Sequence, residues 1–349
     1  MTVQNRIQLE IPTFTAASFK AKWKAYIKEL KKLVAGNDEV LELILTAWFS
    51  SGHVLLQSVP GLGKTVIGNS MCAGLKDGKW GFFPFTADLL PSDIKGSEVY
   101  NEATKQMEVM HGAIHPSFNI FVADEINRTT PKTLSALLAI MEELLIVIGP
   151  HVFPMANPFL VIGTQNPIEQ EGTYPMSEAL LDRFAIMAEL TYLSAEDEFG
   201  LLNNNAIYQR DSHKAAKIEE VLTPADVLGM RAFVQSVTCT DTMTRYIVNL
   251  MRATRPGMDE FKRFMPKDLQ DLVRLGGSQR TSKWVKICSK AAAAMRGSDS
   301  VEVQDVQKVF VPCVAHKMIL RSDVKAKAKG ENVSAQILGK LLGNCGTFE

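Results

Sequence analysis

The sequence predicts an α/β fold that gives way to an all-helical second half. Short apolar runs suited to buried strands alternate with helix-periodic segments up to about Ser194. A glycine-rich turn, Ser58-Val59-Pro60-Gly61-Leu62-Gly63-Lys64-Thr65, joins one such strand to a helix. From about Ser194 the strand-like runs stop and capped helical segments follow one another.

The chain has 349 residues, enough for about two domains and a sizeable core. Hydrophobic residues make up 46% and charged residues 22%, the balance of a globular chain. Lys plus Arg and Asp plus Glu number 38 each, so no bulk charge draws the chain to nucleic acid or an anionic membrane. The five cysteines are scattered, with no CxxC pair, which fits the reduced thiols of a cytoplasmic protein. Met1 to Glu10 is too polar for a signal peptide, and no apolar run is long enough to span a bilayer, so no membrane insertion is expected.

Residues 1–33 read as an extended arm and an amphipathic helix. Phe19, Trp23, Tyr26, Ile27, Leu30 and Leu33 recur at spacings of three and four. The opposite face carries Lys20, Lys22, Lys24, Lys28, Lys31 and Lys32 and reads as a solvated surface over a packed stripe. Val40 to Trp48 is apolar nearly all round and predicts a buried helix. His53 to Gln57 is a buried strand, and Val66 to Leu75 a helix. The turn between them is a phosphate-binding loop. Its glycines let backbone N–H groups face inward, and the helix N-terminus adds partial positive charge. Lys64 would reach the β- and γ-phosphates, and the Thr65 hydroxyl would hold Mg²⁺. The usual first glycine is here Ser58, acceptable if its φ is negative.

Phe82 to Thr86 predicts a strand, with Pro84 marking an edge or an end. Asp88 to Gly96 reads as a helical turn, and Val99-Tyr100 with Met107 to Val109 as a hairpin. His111 and His115 have the spacing of helical metal ligands, but Gly112 and Pro116 predict a loop and no metal. Phe118 to Ala123 is a strand delivering Asp124 and Glu125 at its end. Asp124 would hold Mg²⁺ and Glu125 would polarise an attacking water. Thr133 to Leu145 is a helix, and Val147 to Phe153, broken at Gly149-Pro150, a hairpin. Phe159 to Gly163 is a strand followed by Asn166, whose amide is placed to touch the γ-phosphate or the water. Ser177 to Phe184 is a short helix with Arg183 at its end, before a last strand near Ile186 to Leu190.

Thr223-Pro224 starts a helix, and Thr242 to Thr254, Thr281 to Arg296, Val303 to Leu320 and Ser334 to Leu342 continue the pattern. Arg280 falls at a helix start, where it opposes the dipole and calls for an anion nearby.

With the loop, Asp124-Glu125, Asn166, Arg183 and Arg280 in this order, the chain resembles an AAA+ ATPase. Phe85 to Ile94, Ala123 to Arg128, Gly163 to Pro175 and Glu178 to Phe184 look like the MoxR family within it. The likeness runs from about Val34 to Leu320. It implies an α/β P-loop NTPase core over residues 34–195, with a five-stranded parallel sheet of order 5-1-4-3-2. It implies an insert near residues 97–115 and an all-α lid over 220–349. Pro60, Gly61, Leu62, Gly63, Lys64, Thr65 and Val66 would bind ATP, with Mg²⁺ on Thr65 and Asp124. Glu125 would be the catalytic base, Asn166 sensor 1, Arg280 sensor 2 and Arg183 the arginine finger for a neighbour's ATP. Arg128 would face the interface. The resemblance further implies a ring, usually a hexamer, that remodels, activates or inserts metal into client proteins through a von Willebrand A-domain adaptor. The chain departs from the family in Ser58 and in Gly112-Ala113-Ile114-His115, where Gly-Pro-Ile-Phe is usual. A nucleic-acid motor and a nucleotide-gated scaffold with little turnover are the alternatives. Zero net charge weighs against the first, and the intact Glu125, Asn166 and Arg183 against the second.

Overall fold

The fold is described from a computed structural model, over residues 10–58, 61–166, 173–209, 211–321 and 332–345. The elements in order are α1 (Ala16–Leu30), α2 (Asp38–Phe49), β1 (Val54–Ser58), α3 (Lys64–Ala73), β2 (Trp80–Pro84), α4 (Pro91–Lys95), β3 (Ser97–Asn101), β4 (Gln106–Met110) and β5 (Ile120–Asp124). Then come α5 (Pro131–Glu143), β6 (Leu145–Ile148), β7 (His151–Pro154), β8 (Leu160–Gln165), α6 (Glu178–Leu181) and β9 (Ile186–Leu190). The second half holds α7 (Ala195–Leu202), α8 (Ser212–Ala215), α9 (Pro224–Ser236), α10 (Asp241–Arg252), α11 (Asp259–Phe264), α12 (Lys267–Gln270), β10 (Val273–Leu275), α13 (Gln279–Arg296), α14 (Val303–Val314), β11 (Ile319–Leu320) and α15 (Val333–Asn344).

Five strands form one parallel sheet in the order β2-β5-β8-β1-β9, the predicted 5-1-4-3-2 arrangement. Side chains alternate between its faces. Val54, Leu56, Ile120, Val122, Leu160 and Ile162 join the core beneath α1, α2 and the helical half. Leu55, Phe121, Ala123 and Val161 join the core beneath α5 and the hairpins β3–β4 and β6–β7. A sheet buried on both faces accounts for strands that read as continuous apolar runs.

The basic helix is built into the larger core. Phe19, Trp23, Tyr26, Ile27 and Leu30 are buried, Trp23 Nε1 donates to the Met295 carbonyl in α13 (2.8 Å), and the Tyr26 hydroxyl donates to Met71 in α3. Helix α1 therefore splices the helix after the glycine-rich turn to the long lid helix. Its basic face is solvated, with Lys22 paired to Asp226 (3.3 Å) and Lys31 to Asp38 (2.5 Å).

Several boundaries differ from expectation. Strand β2 begins two residues early because its register is set by β5, Trp80 against Ile120 and Pro84 against Asp124. Helix α5 starts at Pro131 behind its Thr130 cap and ends where Leu144 turns left-handed (φ 53°), so Leu145 belongs to β6. The helix expected through Leu320 stops at Val314. Pro312 supplies no N–H to its last turns, and a 3₁₀ turn follows. The helical half is not wholly helical, since β11 pairs antiparallel with β10 in a short ribbon.

His53, just ahead of β1, sits buried between the two cores. The Val161 N–H donates to its Nδ1 (3.0 Å) and its Nε2 lies 3.1 Å from the Met141 carbonyl, so the ring is neutral with its proton on Nε2. Burial pushes its pKa down from 6.5 to about 4. Between those values the unfolded chain binds the proton and the folded one does not. Stability is therefore full above the unfolded pKa and is lost as pH falls toward the folded one, by on the order of 2–3 kcal/mol. Urea unfolding of wild type at pH 7.5 and 4.5 checks this, and His53→Gln should flatten the slope; equal slopes contradict it.

Candidate active site

Strand β1 delivers the glycine-rich turn at its C-terminal end. Gly61 (φ 88°) and Gly63 (φ 80°) adopt left-handed backbone, and nothing lies within 4 Å of a Cβ built at either. Backbone conformation, not crowding, therefore requires glycine there. Ser58 is buried, paired with Leu190 and extended, so it fits without left-handed strain. Gly63 precedes Lys64, the first residue of α3. Gly61, Gly63 and Thr65 are exposed and Leu62 and Val66 half-buried. Pro60 lies outside the described residues. Beside the turn is a cavity of about 280 Å³ lined by Val34, Leu62, Val66, Leu190, Leu193 and Leu201. Its apolar walls suit a flat ring, while the loop N–H groups and the α3 N-terminus suit phosphate.

Asp124 closes β5 at the same edge of the sheet. Lys64 Nζ lies 3.3 Å from Asp124 Oδ1. The buried Thr164 of β8 donates to that oxygen (2.6 Å) and accepts the Glu125 N–H (2.9 Å). Glu125 holds left-handed backbone (φ 53°, ψ 49°), a cost of about 1–2 kcal/mol for a non-glycine residue. The Thr164 bond offsets it, as do Arg128 N–H to the Glu125 carbonyl (2.9 Å) and the Arg128–Glu125 ion pair (2.7 Å). Asn166 follows β8 directly and is only 7% exposed, one residue past the pairing of Gln165 with Gln57 of β1. Lys64, Asp124, Thr164 and Glu125 thus form one connected chain. Thr164 is the member the sequence reading missed. Its only signal was a hydroxyl inside an apolar strand two residues before Asn166.

Arg183 and Arg280 do not join this cluster. Arg183 stands before β9, two residues ahead of Ala185, whose N–H bonds the His53 carbonyl at the N-terminal edge of the sheet (2.9 Å). That edge is about 16 Å, one strand length, from the glycine-rich turn. Arg183 donates to Glu142 from Nε (3.1 Å) and Nη2 (3.0 Å), and Arg280 Nη2 donates to the same carboxylate (3.0 Å). Asp182 accepts from Ser278 Oγ (3.0 Å) and Thr281 Oγ1 (3.1 Å) at the start of α13. Asp182 and Glu142 are the anions that a basic residue at that helix start called for. His111 and His115 lie in a loop with ring centroids 4.8 Å apart, where burial and the neighbouring imidazole lower the His111 pKa.

Residues 53–186 match the model of an ATPase family associated with various cellular activities (AAA), and residues 268–338 that of an AAA lid domain. The chain is 34% identical to "Chaperone MoxR1" of Mycobacterium tuberculosis, spanning 86% of this chain and 76% of that one. It belongs to the MoxR family of AAA+ ATPases. Another relative of this MoxR-family chain is the YeaC protein of Bacillus subtilis, 35% identical over 89% of this chain and 90% of that one. Among solved structures, a candidate ATPase from Cytophaga hutchinsonii superposes with a TM-score of 0.83 and 32% identity, covering 95% of this chain and 96% of that one. The MoxR frame gives the crest cluster a defined place, at the strand ends where open α/β sheets bind ligands. No helix among the described residues is long and apolar enough to cross a membrane.

Thr164→Val keeps the shape of the side chain but leaves the half-buried Asp124 and Glu125 without their bridge. ATP turnover should fall roughly 10–100-fold with little change in nucleotide affinity. Phosphate-release kinetics with a parallel nucleotide titration checks this; unchanged turnover would remove Thr164 from the site.

Proposed function

We propose that the protein hydrolyses ATP to ADP and phosphate at sites completed between subunits of a ring. One observation carries this reading: the phosphate loop and the two carboxylates meet at one edge of the sheet, while Arg183 and Arg280 pair at the other. Neither arginine reaches its own chain's loop across a strand length, so both serve a neighbour's nucleotide. The loop N–H groups and Lys64 hold the β- and γ-phosphates. Glu125, held by Thr164 and Arg128, accepts the proton of the attacking water, and Asn166 orients that water. Asp124 and the Thr65 hydroxyl are hard oxygen donors of the kind Mg²⁺ takes, and the ion when bound neutralises phosphate charge. An arginine supplied in trans is worth about 10³–10⁵ in turnover, which ties hydrolysis to assembly.

The reading extends to a cytoplasmic, hexameric, chaperone-like machine that remodels or activates client proteins or inserts metal into them. The relative named as a chaperone supports the chaperone-like part. A von Willebrand A-domain adaptor rests on the family likeness alone.

Arg183→Ala should abolish hydrolysis while leaving ATP affinity nearly intact. Turnover above half of wild type would sink the trans arrangement. Glu125→Gln should bind ATP, hold the ring closed and retain partners. Captured with ATP from the native cell, it should bring down a von Willebrand A-domain protein and a client. Co-purifying nucleic acid would redirect the reading to a motor.

A further inference from the structure

The two arginines are linked by a residue that no sequence motif singled out. Each oxygen of Glu142 serves one guanidinium: Oε2 takes Nε and Nη2 of Arg183, and Oε1 takes Nη2 of Arg280. Without a carboxylate between them, two like charges this close would repel and their long side chains would sample many rotamers. Nη1 of Arg183 also donates to the Ala179 carbonyl (2.6 Å), leaving that guanidinium one orientation. Arg183 comes from the α/β half and Arg280 from the helical half, so Glu142 ties the two halves at their arginines. It does so from the last turn of α5. That helix begins just after the Glu125–Arg128 pair and is pinned along its length by buried Leu134, Leu137, Ile140 and Met141. One rod about 20 Å long therefore runs from Pro131, six residues beyond the chain's own Glu125, to the arginine holder in its last turn.

Stability is a weak account of this arrangement. Glu142 is 45% exposed, and exposed ion pairs contribute little to folding. We infer that Glu142 is a positioning residue that presents Arg183 and Arg280 as one preset unit to the neighbouring subunit's nucleotide. The inference rests on the trans reading above. Displacing a reacting group by about 1 Å costs about a hundredfold in rate, so loosening two held guanidiniums should lower turnover and leave ATP binding in place.

Complementation within mixed rings tests it. Subunits carrying Glu125→Gln donate arginines without hydrolysing, and subunits carrying Arg183→Ala hydrolyse only with a donated arginine. Mixing the two should restore turnover absent from either alone. Donors that also carry Glu142→Ala should restore roughly tenfold less, with KM for ATP unchanged. Donors with the isosteric Glu142→Gln should show a smaller loss in the same direction, and sedimentation should show intact rings in each case. Equal or higher turnover with the Glu142 donors, or a change confined to KM, overturns the inference. Failure of the Glu125→Gln donors themselves to restore turnover overturns the trans reading, and Glu142 positioning with it.

Discussion

The parallel register of the central sheet is the constraint on which the rest depends. Val54 of β1 pairs with Ile162 of β8 and Ile186 of β9, and Val122 of β5 pairs with Ile162 on the other side. That alignment pairs Gln57 of β1 with Gln165 of β8 and Ala123 of β5 with Gly163, so the glycine-rich turn, Asp124, Glu125 and Asn166 all leave the sheet at the same edge. A slip of one residue in any central strand would exchange its two buried faces and move its terminal residue out of the site. Burial of Leu55, Phe121 and Val161 on one face and Leu56, Val122 and Ile162 on the other holds the register.

Within that frame the site is assembled from polar groups that cannot be left unpaired. Thr164 is fully buried, and its single hydroxyl both donates to Asp124 and accepts from Glu125. Low local polarity strengthens such links and makes their loss expensive. The same bond holds Glu125 in left-handed backbone, so the strain there and the placement of the two carboxylates share one cause. At the far edge, Asp182 bonds the start of α13 while Glu142 gathers Arg183 and Arg280. Together with α1, which bonds both α3 and α13, these contacts make the helical half an extension of the nucleotide core.

Much of this was legible in the chain. The turn was legible because glycine adopts positive φ without steric cost, and Gly61 and Gly63 both do so here. The hairpins at residues 97–110 and 145–154 declared themselves through short alternating runs and the Gly149-Pro150 break. Boundaries were less legible, since β2 starts where β5 demands rather than where its own apolar run begins. The ribbon of β10 and β11 was invisible because its strands are 44 residues or more apart in sequence and carry only three and two residues. Thr164 and Glu142 were overlooked for the same reason: a threonine in a strand and a glutamate on a helix have no pattern of their own.

The sequence by itself determined the chemistry: a loop whose glycines and lysine suit phosphate, two carboxylates at a strand end, an amide after the next strand and two arginines at helix termini. Taken together in this order, those residue types point to one chemistry more firmly than any of them does alone. Which of them stand together was decided only by the tertiary structure. Strand direction sends Lys64, Asp124, Glu125 and Asn166 to one edge and leaves Arg183 and Arg280 at the other. That division comes from the register of five strands and the path of α5 between the edges, neither of which any single segment of the chain contains.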